Sequence, residues 1–167
     1  YFVSHLPFVS TFFSRMGVFG GSRGNVEHLL RRGELLQLFP EGVPGIRKPF
    51  SERYKLRPFR VGHVEMAIRY RVPVIPVAVI GAEEQFLKLA DLPLKMFGAP
   101  YLPVFFPPFP MPVHYHIYYG QPLDFSTRYK TEDADNPQIL EQCAAEVQAS
   151  VAALIARGLH ERDGVFG

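Results

Sequence analysis

Apolar positions recur along this chain with two different periods. After Asn136-Pro137, residues Ile139, Leu140, Cys143, Ala144, Val147, Val151, Leu154 and Ile155 return every three or four positions, and Gly158 follows. That spacing predicts an amphipathic helix over 136–158, with Asn136 as its cap and Pro137 in its first turn. Gly62 to Arg71 reads as a shorter helix with Val64, Ala67 and Ile68 inward. A third begins at Asn25, carries Val26, Leu29 and Leu30 on one stripe, and stops at Gly33. Pro7 to Met16 and Ala82 to Ala90 read as further short helices.

Other stretches read as strands. Leu35 to Phe39 is a short, mostly apolar run that reads as a buried strand. Val74 to Ile80 is continuously apolar, the mark of a strand covered on both faces. Pro76 inside it cannot donate a ladder hydrogen bond, which predicts an edge or a bulge there. Val113 to Tyr119 alternates and ends at Gly120-Gln121-Pro122, Val18-Phe19 is a possible short strand, and Tyr1 to Val3 resembles a strand end. Strand, helix and strand over 35–80 make a βαβ unit, whose crossover is expected to be right-handed. Prolines at 93, 100, 103, 107, 108, 110 and 112 exclude regular helix from 93–112. That apolar, irregular segment either packs over the core or meets a lipid surface.

At 167 residues the chain is expected to be one domain, with no internal boundary. A composition 47% hydrophobic and 20% charged excludes a disordered polymer. The net charge of +2 argues against a nucleic-acid binder, although Arg31 to Arg71 is basic and Glu132 to Glu146 acidic. Cys143 falls on the apolar side of its helix and reads as a core residue. No uninterrupted apolar run has the length of a membrane span, and the start lacks a basic signal-peptide region. Opening on a strand end, the chain reads as a fragment that begins inside a fold.

The chemistry concentrates after Phe39. A Pro40-Glu41-Gly42 turn follows the expected strand, and Val43 to Phe59 then carries Arg47, Lys48, Arg53, Lys55 and Arg57. Ligands of open α/β sheets bind beyond the carboxyl ends of strands. A turn with one carboxylate and a basic loop there suits an anionic substrate. The plain alternative is a charged loop with a turn glycine. His63-Val64-Glu65 lacks a third metal ligand nearby, and His114 with His116 reads as an exposed polar face. Gly20 to Gly24 lacks the Gly-Lys-Ser/Thr ending of a P-loop.

Three features in fixed order resemble the glycerolipid acyltransferase family, the lysophosphatidate-type enzymes. Gly17 through Arg23 resembles its second motif, Phe39-Pro40-Glu41-Gly42 its third, and Val72 through Pro76 its fourth. Lys48-Pro49-Phe50 and Arg53-Tyr54-Lys55-Leu56 are closer to the branch similar to monoacylglycerol and diacylglycerol acyltransferases. The resemblance covers about residues 1–125, and the final helix also fits. It implies an α/β fold with a mixed, largely parallel central sheet flanked by helices, lacking its N-terminal part.

It also implies transfer of an acyl group from acyl-CoA or acyl carrier protein to a glycerolipid hydroxyl. No metal or other cofactor is implied. The setting would be peripheral, on the cytoplasmic face of a membrane, with a membrane lipid as acceptor and no nucleic acid as partner. In that family a His-x4-Asp pair removes the hydroxyl proton. Here the residues five beyond each histidine are Ser10, Gly33, Ile68, Tyr119, Gln121 and Val165, so the pair is absent and expected upstream of Tyr1. The implied substrate-binding residues are Arg23, Glu41, Gly42, Arg47, Lys48 and Arg53. Val43-Pro44 stands where the family usually has Thr-Arg, and Arg47, Lys48 or Arg53 would replace that arginine. The rival expectation is a lipid- or protein-binding module of the same fold without catalysis.

Overall fold

The computed structural model describes residues 11–12, 14–18, 22–46, 48–85, 87–92, 102–106 and 109–164. The chain divides into two compact units, residues 1–36 with 89–105 and residues 37–88 with 106–167. The expected strand end at 1–3 and most of the expected helix over 7–16 lie outside the described residues, although Thr11, Phe12, Ser14 and Arg15 are helical.

In the first unit, helix α1 spans Arg23–Arg31. Its cap is Ser22, whose hydroxyl accepts from Asn25 N, so the helix starts earlier than the expected Asn25 cap. Either side chain suits a cap, and the hydroxyl three residues earlier takes the role. Gly33 does stop the helix. With φ at +73° it turns left-handed, and the amides of Gly33 and Glu34 return to the carbonyls of Leu30 and Leu29.

The second unit holds most of the core. Helix α2 is one turn, Val43–Ile46. Helix α3, Gly62–Tyr70, buries Val64, Ala67 and Ile68 as its spacing predicts, together with Glu65 and Met66. Helix α4, Pro137–Glu161, carries the predicted Asn136 cap, which accepts from Gln138 N and Ile139 N. Val64, Ala67, Ile68, Phe125, Ala134, Leu140, Cys143, Ala144 and Val147 form one cluster. Burial raises the Cys143 thiol pKa, consistent with an inert core residue.

Helix α4 does not stop at Gly158 but continues to Glu161. Gly158 serves packing instead: a Cβ there would lie 2.6 Å from Ile80 Cγ1 and 2.7 Å from Tyr118 Cε2. The missing side chain lets α4 approach the sheet. By length and composition α4 is long and apolar enough to cross a membrane, although no uninterrupted apolar run of that length occurs in the chain. Its small residues keep mean hydropathy high while one face is committed to the core.

The described residues combine helices with two small two-stranded sheets, and a largely parallel central sheet is not shown among them. Strands β1 (Val77–Ile80) and β4 (His116–Tyr119) pair antiparallel, Val77 opposite Tyr119 and Ile80 opposite His116. Strands β2 (Leu87–Leu92) and β3 (Leu102–Phe106) pair with each other. Leu35–Phe39 is not a buried strand: Leu35 is 94% exposed and Phe39 77%. No described strand pairs with it, and apolar composition alone forms no ladder. The expected βαβ unit therefore lacks its first strand among the described residues.

Pro76 shortens the second expected strand. A lone bridge joins Val74 to Leu123, Gly120 N donates to Pro76 O, and the ladder proper begins only at Val77. Ala78 and Ile80 are buried while Val79 opposite Ile117 is exposed, so one face is covered rather than two. Ala82–Ala90 is not a helix but a 3-10 turn, Ala82–Glu84, followed by β2. Leu87, Leu89 and the residues between them alternate, and pairing with β3 selects that period. Within the proline-rich segment, Leu102–Phe106 is regular after all. In a two-stranded sheet each strand has an unpaired edge, where a proline such as Pro103 is tolerated.

Candidate functional site

The Pro-Glu-Gly turn lies in the second unit. Gly42 N donates to Phe39 O at 3.0 Å, and Gly42 takes φ +63°, a conformation few side chains adopt. Gly45 N returns to Gly42 O at 3.1 Å. A Cβ on Gly45 would lie 2.6 Å from Glu41 Oε2, so the carboxylate folds back against the glycine that follows it. Arg60 N donates to Pro40 O at 3.0 Å and ties the far end of the basic loop to the turn.

Lys48 connects this turn to the segment after β1. It is buried, and its Nζ lies 2.9 Å from Glu83 Oε1, 3.7 Å from Glu41 Oε2 and 3.1 Å from Lys55 O. A buried ammonium is tolerated only when paired in this way. Glu83 also accepts from Tyr54 N at 2.6 Å.

Glu84 forms a second junction. Its side chain is almost fully buried, with Oε2 2.6 Å from Arg162 Nη1 and Oε1 3.5 Å from Arg53 Nε. Burial alone would push this carboxyl up, but the Arg162 hydrogen bond and charge outweigh it and hold the pKa below the usual range. Arg162 follows the last turn of α4 and lies 5.7 Å from the Tyr54 ring centre. Arg53 stacks 4.6 Å from the Phe50 ring.

Tyr54 sits where the two junctions meet. Its φ is +62°, a strained value for a bulky residue. Glu83 holds its amide, and Gly81 N donates to its hydroxyl at 2.8 Å. Burial raises its phenol pKa. Gly81 itself has φ +102°, and a Cβ there would collide with His114 O. The strain at Tyr54 persists because its surroundings fix it from several sides.

Among the expected site residues, Glu41, Gly42, Lys48 and Arg53 come together around this cluster. Arg23 is the exposed first residue of α1, in the other unit. Arg47 lies outside the described residues. Sequence reasoning missed Tyr54, Glu83, Glu84, Arg162 and Arg60. Tyr54 stands in the Arg53-Tyr54-Lys55-Leu56 motif, and for the others the available signal was the acidic pair Glu83-Glu84 after an apolar strand. His114 and His116 are exposed, and no group of three or more metal-ligating side chains occurs among the described residues. Lys48, Arg53 and Arg162 balance Glu41, Glu83 and Glu84. The result is a rigid, charge-neutral frame that fixes a glycine turn, not a nucleophile–base pair.

Comparison with known proteins gives this frame a context. A family model described as Acyltransferase matches residues 3–80, which include the Pro-Glu-Gly turn and the loop after it. An uncharacterised protein of Mycobacterium leprae is 32% identical over 98% of this chain and 47% of its own length. One from Mycobacterium tuberculosis (strain ATCC 25618 / H37Rv) is 34% identical over 85% of the chain and 42% of its own. A Gallus gallus protein named DGAT1/2-independent enzyme synthesizing storage lipids is 29% identical over 94% of the chain and 45% of its own. The chain thus spans somewhat under half the length of these relatives. No solved structure matches it. With the three motifs in order and the family match laid over the turn they frame, residues 3–80 of the chain are similar to the acyltransferase family.

Proposed function

We propose that this chain forms the substrate-binding portion of an enzyme that moves a fatty acyl group from an acyl thioester to a glycerolipid hydroxyl. The observation that carries this reading is the family match over residues 3–80. The name of the Gallus gallus relative, a storage-lipid-synthesising enzyme, supports a lipid acceptor. In the reaction the acceptor oxygen attacks the thioester carbonyl, the carbon–sulfur bond breaks, and the hydroxyl proton ends on the departing thiolate. A His-x4-Asp pair, absent from these 167 residues, would carry that proton.

The chain's own contribution is binding and orientation, a term that can remove many kcal/mol from such a barrier. Glu41 and Gly42 shape the acceptor side, and Arg23 and Arg47 supply positive charge for acyl-CoA, acyl carrier protein or an acceptor phosphate. Lys48 and Arg53 act mainly through the frame they hold. We assign the complete fold a largely parallel sheet and the enzyme a peripheral place on the cytoplasmic face of a membrane, with 93–112 against lipid.

The test begins with the coding sequence upstream of Tyr1. If it encodes His-x4-Asp, the extended polypeptide is assayed for transfer of labelled acyl groups from acyl-CoA to monoacylglycerol, diacylglycerol and lysophosphatidate. Transfer to any of the three, lost on changing that histidine, is the expected result. Lipid binding without transfer would replace this reading with a non-catalytic module. Charging Phe105, Phe106 and Phe109 is expected to reduce co-sedimentation with anionic vesicles, and unchanged co-sedimentation would remove that segment from the membrane contact.

A further inference from the structure

Two consecutive carboxylates on one short turn reach different parts of the second unit. The 3-10 turn Ala82–Glu84 follows β1, and Glu84 N donates to Gly81 O at 3.0 Å within it. A single turn of this kind has little stability of its own, so its side-chain anchors set where it sits. Glu83 anchors it to the basic loop, with Lys48 Nζ at 2.9 Å and Tyr54 N at 2.6 Å. Glu84 anchors it to the end of α4, where Arg162 Nη1 donates to Oε2 at 2.6 Å.

Arg162 is the firmer of the two cations on Glu84. Its side chain is mostly buried, whereas Arg53, 3.5 Å from Oε1, is 40% exposed. Oε1 has no hydrogen-bond partner among the described residues. Without Arg162 the buried Glu84 would keep only the longer and wetter ion pair. Arg162 also stands within cation–π range of the strained Tyr54. Its own place is set by α4. Its N–H donates to Gly158 O at 3.2 Å, and Gly158 lets the helix lie against Ile80 and Tyr118. Arg162 stands well outside residues 3–80, which the family model matches.

We propose that Arg162 is a positioning residue for the acceptor side of the site. It touches no substrate. From the end of α4 it fixes Glu84, the turn carries that placement to Glu83, and Glu83 holds Lys48 and Tyr54. Lys48, 3.7 Å from Glu41 Oε2, then fixes the Pro-Glu-Gly turn. The core helix thereby sets the geometry of a loop that has no apolar core of its own. The inference rests on the acyl-transfer reading for what the turn receives.

The test uses the polypeptide extended upstream of Tyr1, as wild type, Arg162→Leu, Arg162→Lys, the double variant Glu84→Met with Arg162→Leu, and Asn136→Ala. The last weakens the same helix at its far end. In steady-state acyl transfer, Arg162→Leu is expected to raise the acceptor KM about tenfold or more with the donor KM unchanged, as for a displaced binding group. Arg162→Lys is expected to recover most of that loss. The double variant strands no charge but orients nothing, so it is expected to keep the raised acceptor KM, and it replaces Arg162→Leu if that variant does not fold. A purely structural role would lower kcat through the active fraction, in Arg162→Leu and Asn136→Ala alike, with both KM values unchanged. That result overturns the inference, and so does a wild-type acceptor KM in the double variant. Amide hydrogen exchange supplies a readout independent of activity. Gly42, Lys48 and Tyr54 are expected to exchange faster in Arg162→Leu and in the double variant but at the wild-type rate in Asn136→Ala, and unchanged exchange at all three amides overturns the inference. Wild-type protein that transfers no acyl group overturns the acyl-transfer reading alone, because exchange still decides whether Arg162 holds the turn.

Discussion

The second unit contains two buried regions held by opposite means. Under α3 and α4 the contacts are apolar: Phe125, Ile68 and Val64 are fully buried and surrounded by Leu140, Cys143, Ala144 and Val147. Around the Pro-Glu-Gly turn the buried groups are charged, Lys48 and Glu84 among them. Apolar packing is non-directional and tolerates exchange of similar volumes. A buried charge has a defined partner and orientation, and it becomes a liability when that partner is lost. The core therefore stabilises the unit, whereas the charged frame specifies one geometry for a loop that would otherwise have many. A turn glycine at +63° and a tyrosine at +62° sit in the charged region. The glycine adopts its value freely, whereas the tyrosine needs a surround that over-determines it.

The largest test of this contrast is in the core. Phe125→Ala removes a fully buried ring and is expected to cost about 3–5 kcal/mol. Denaturant unfolding reads this as a lower midpoint at unchanged slope, and a loss under about 1 kcal/mol would move the centre of the core elsewhere. Next comes the frame. Glu84→Ala strands Arg162 in a mostly buried site and is expected to cost about 2–4 kcal/mol, the lower end allowing for the partly exposed Arg53. The double variant Glu84→Met with Arg162→Leu is expected to cost less than Glu84→Ala alone, because no charge is left without a partner. Strict additivity would mean that the pair is not coupled. Asn136→Ala, which deletes the cap of α4, is expected to cost about 1 kcal/mol by the same measurement.

The two regions also differ in pH dependence. The folded Glu84 carboxyl has a lowered pKa, so its stabilisation is complete above the usual carboxylate range and is lost as pH falls through the folded value. The double variant removes Glu84's share of the acid slope. Burial lowers the His63 pKa, so below about 6.5 the unfolded chain binds the proton first and stability falls as pH drops toward the lower folded value. Melting temperatures from pH 8 to 3 should therefore show a His63-linked decline first and a Glu84-linked decline later. The second is expected to be shallower in the double variant, because Asp124 and Glu161 also have lowered carboxyl pKa values, and an unchanged slope there would remove Glu84 as a contributor.

Much of this was legible in residue order. The helical spacing after Asn136 locates α4 and its cap, and Val64, Ala67 and Ile68 identify the buried face of α3. Gly33 marks the end of α1. The Pro-Glu-Gly turn and its basic loop mark the candidate site region in residue order alone. Strands were less legible. Leu35–Phe39 and Val77–Ile80 have similar apolar character, yet only the second has a partner strand among the described residues. A helix satisfies its hydrogen bonds within itself, so its period is local. A strand depends on residues far along the chain.

Residue order alone therefore determined the helices at 62–70 and 137–161, the end of α1 at Gly33, the family motifs and the surplus of cations after Phe39. Only the tertiary structure decided which cations are consumed. Lys48 finds Glu83 across 35 positions and Glu84 finds Arg162 across 78. Coulomb attraction acts through space, so a charge's role is set by the neighbours that folding brings within a few ångströms, and local pattern carries no record of them.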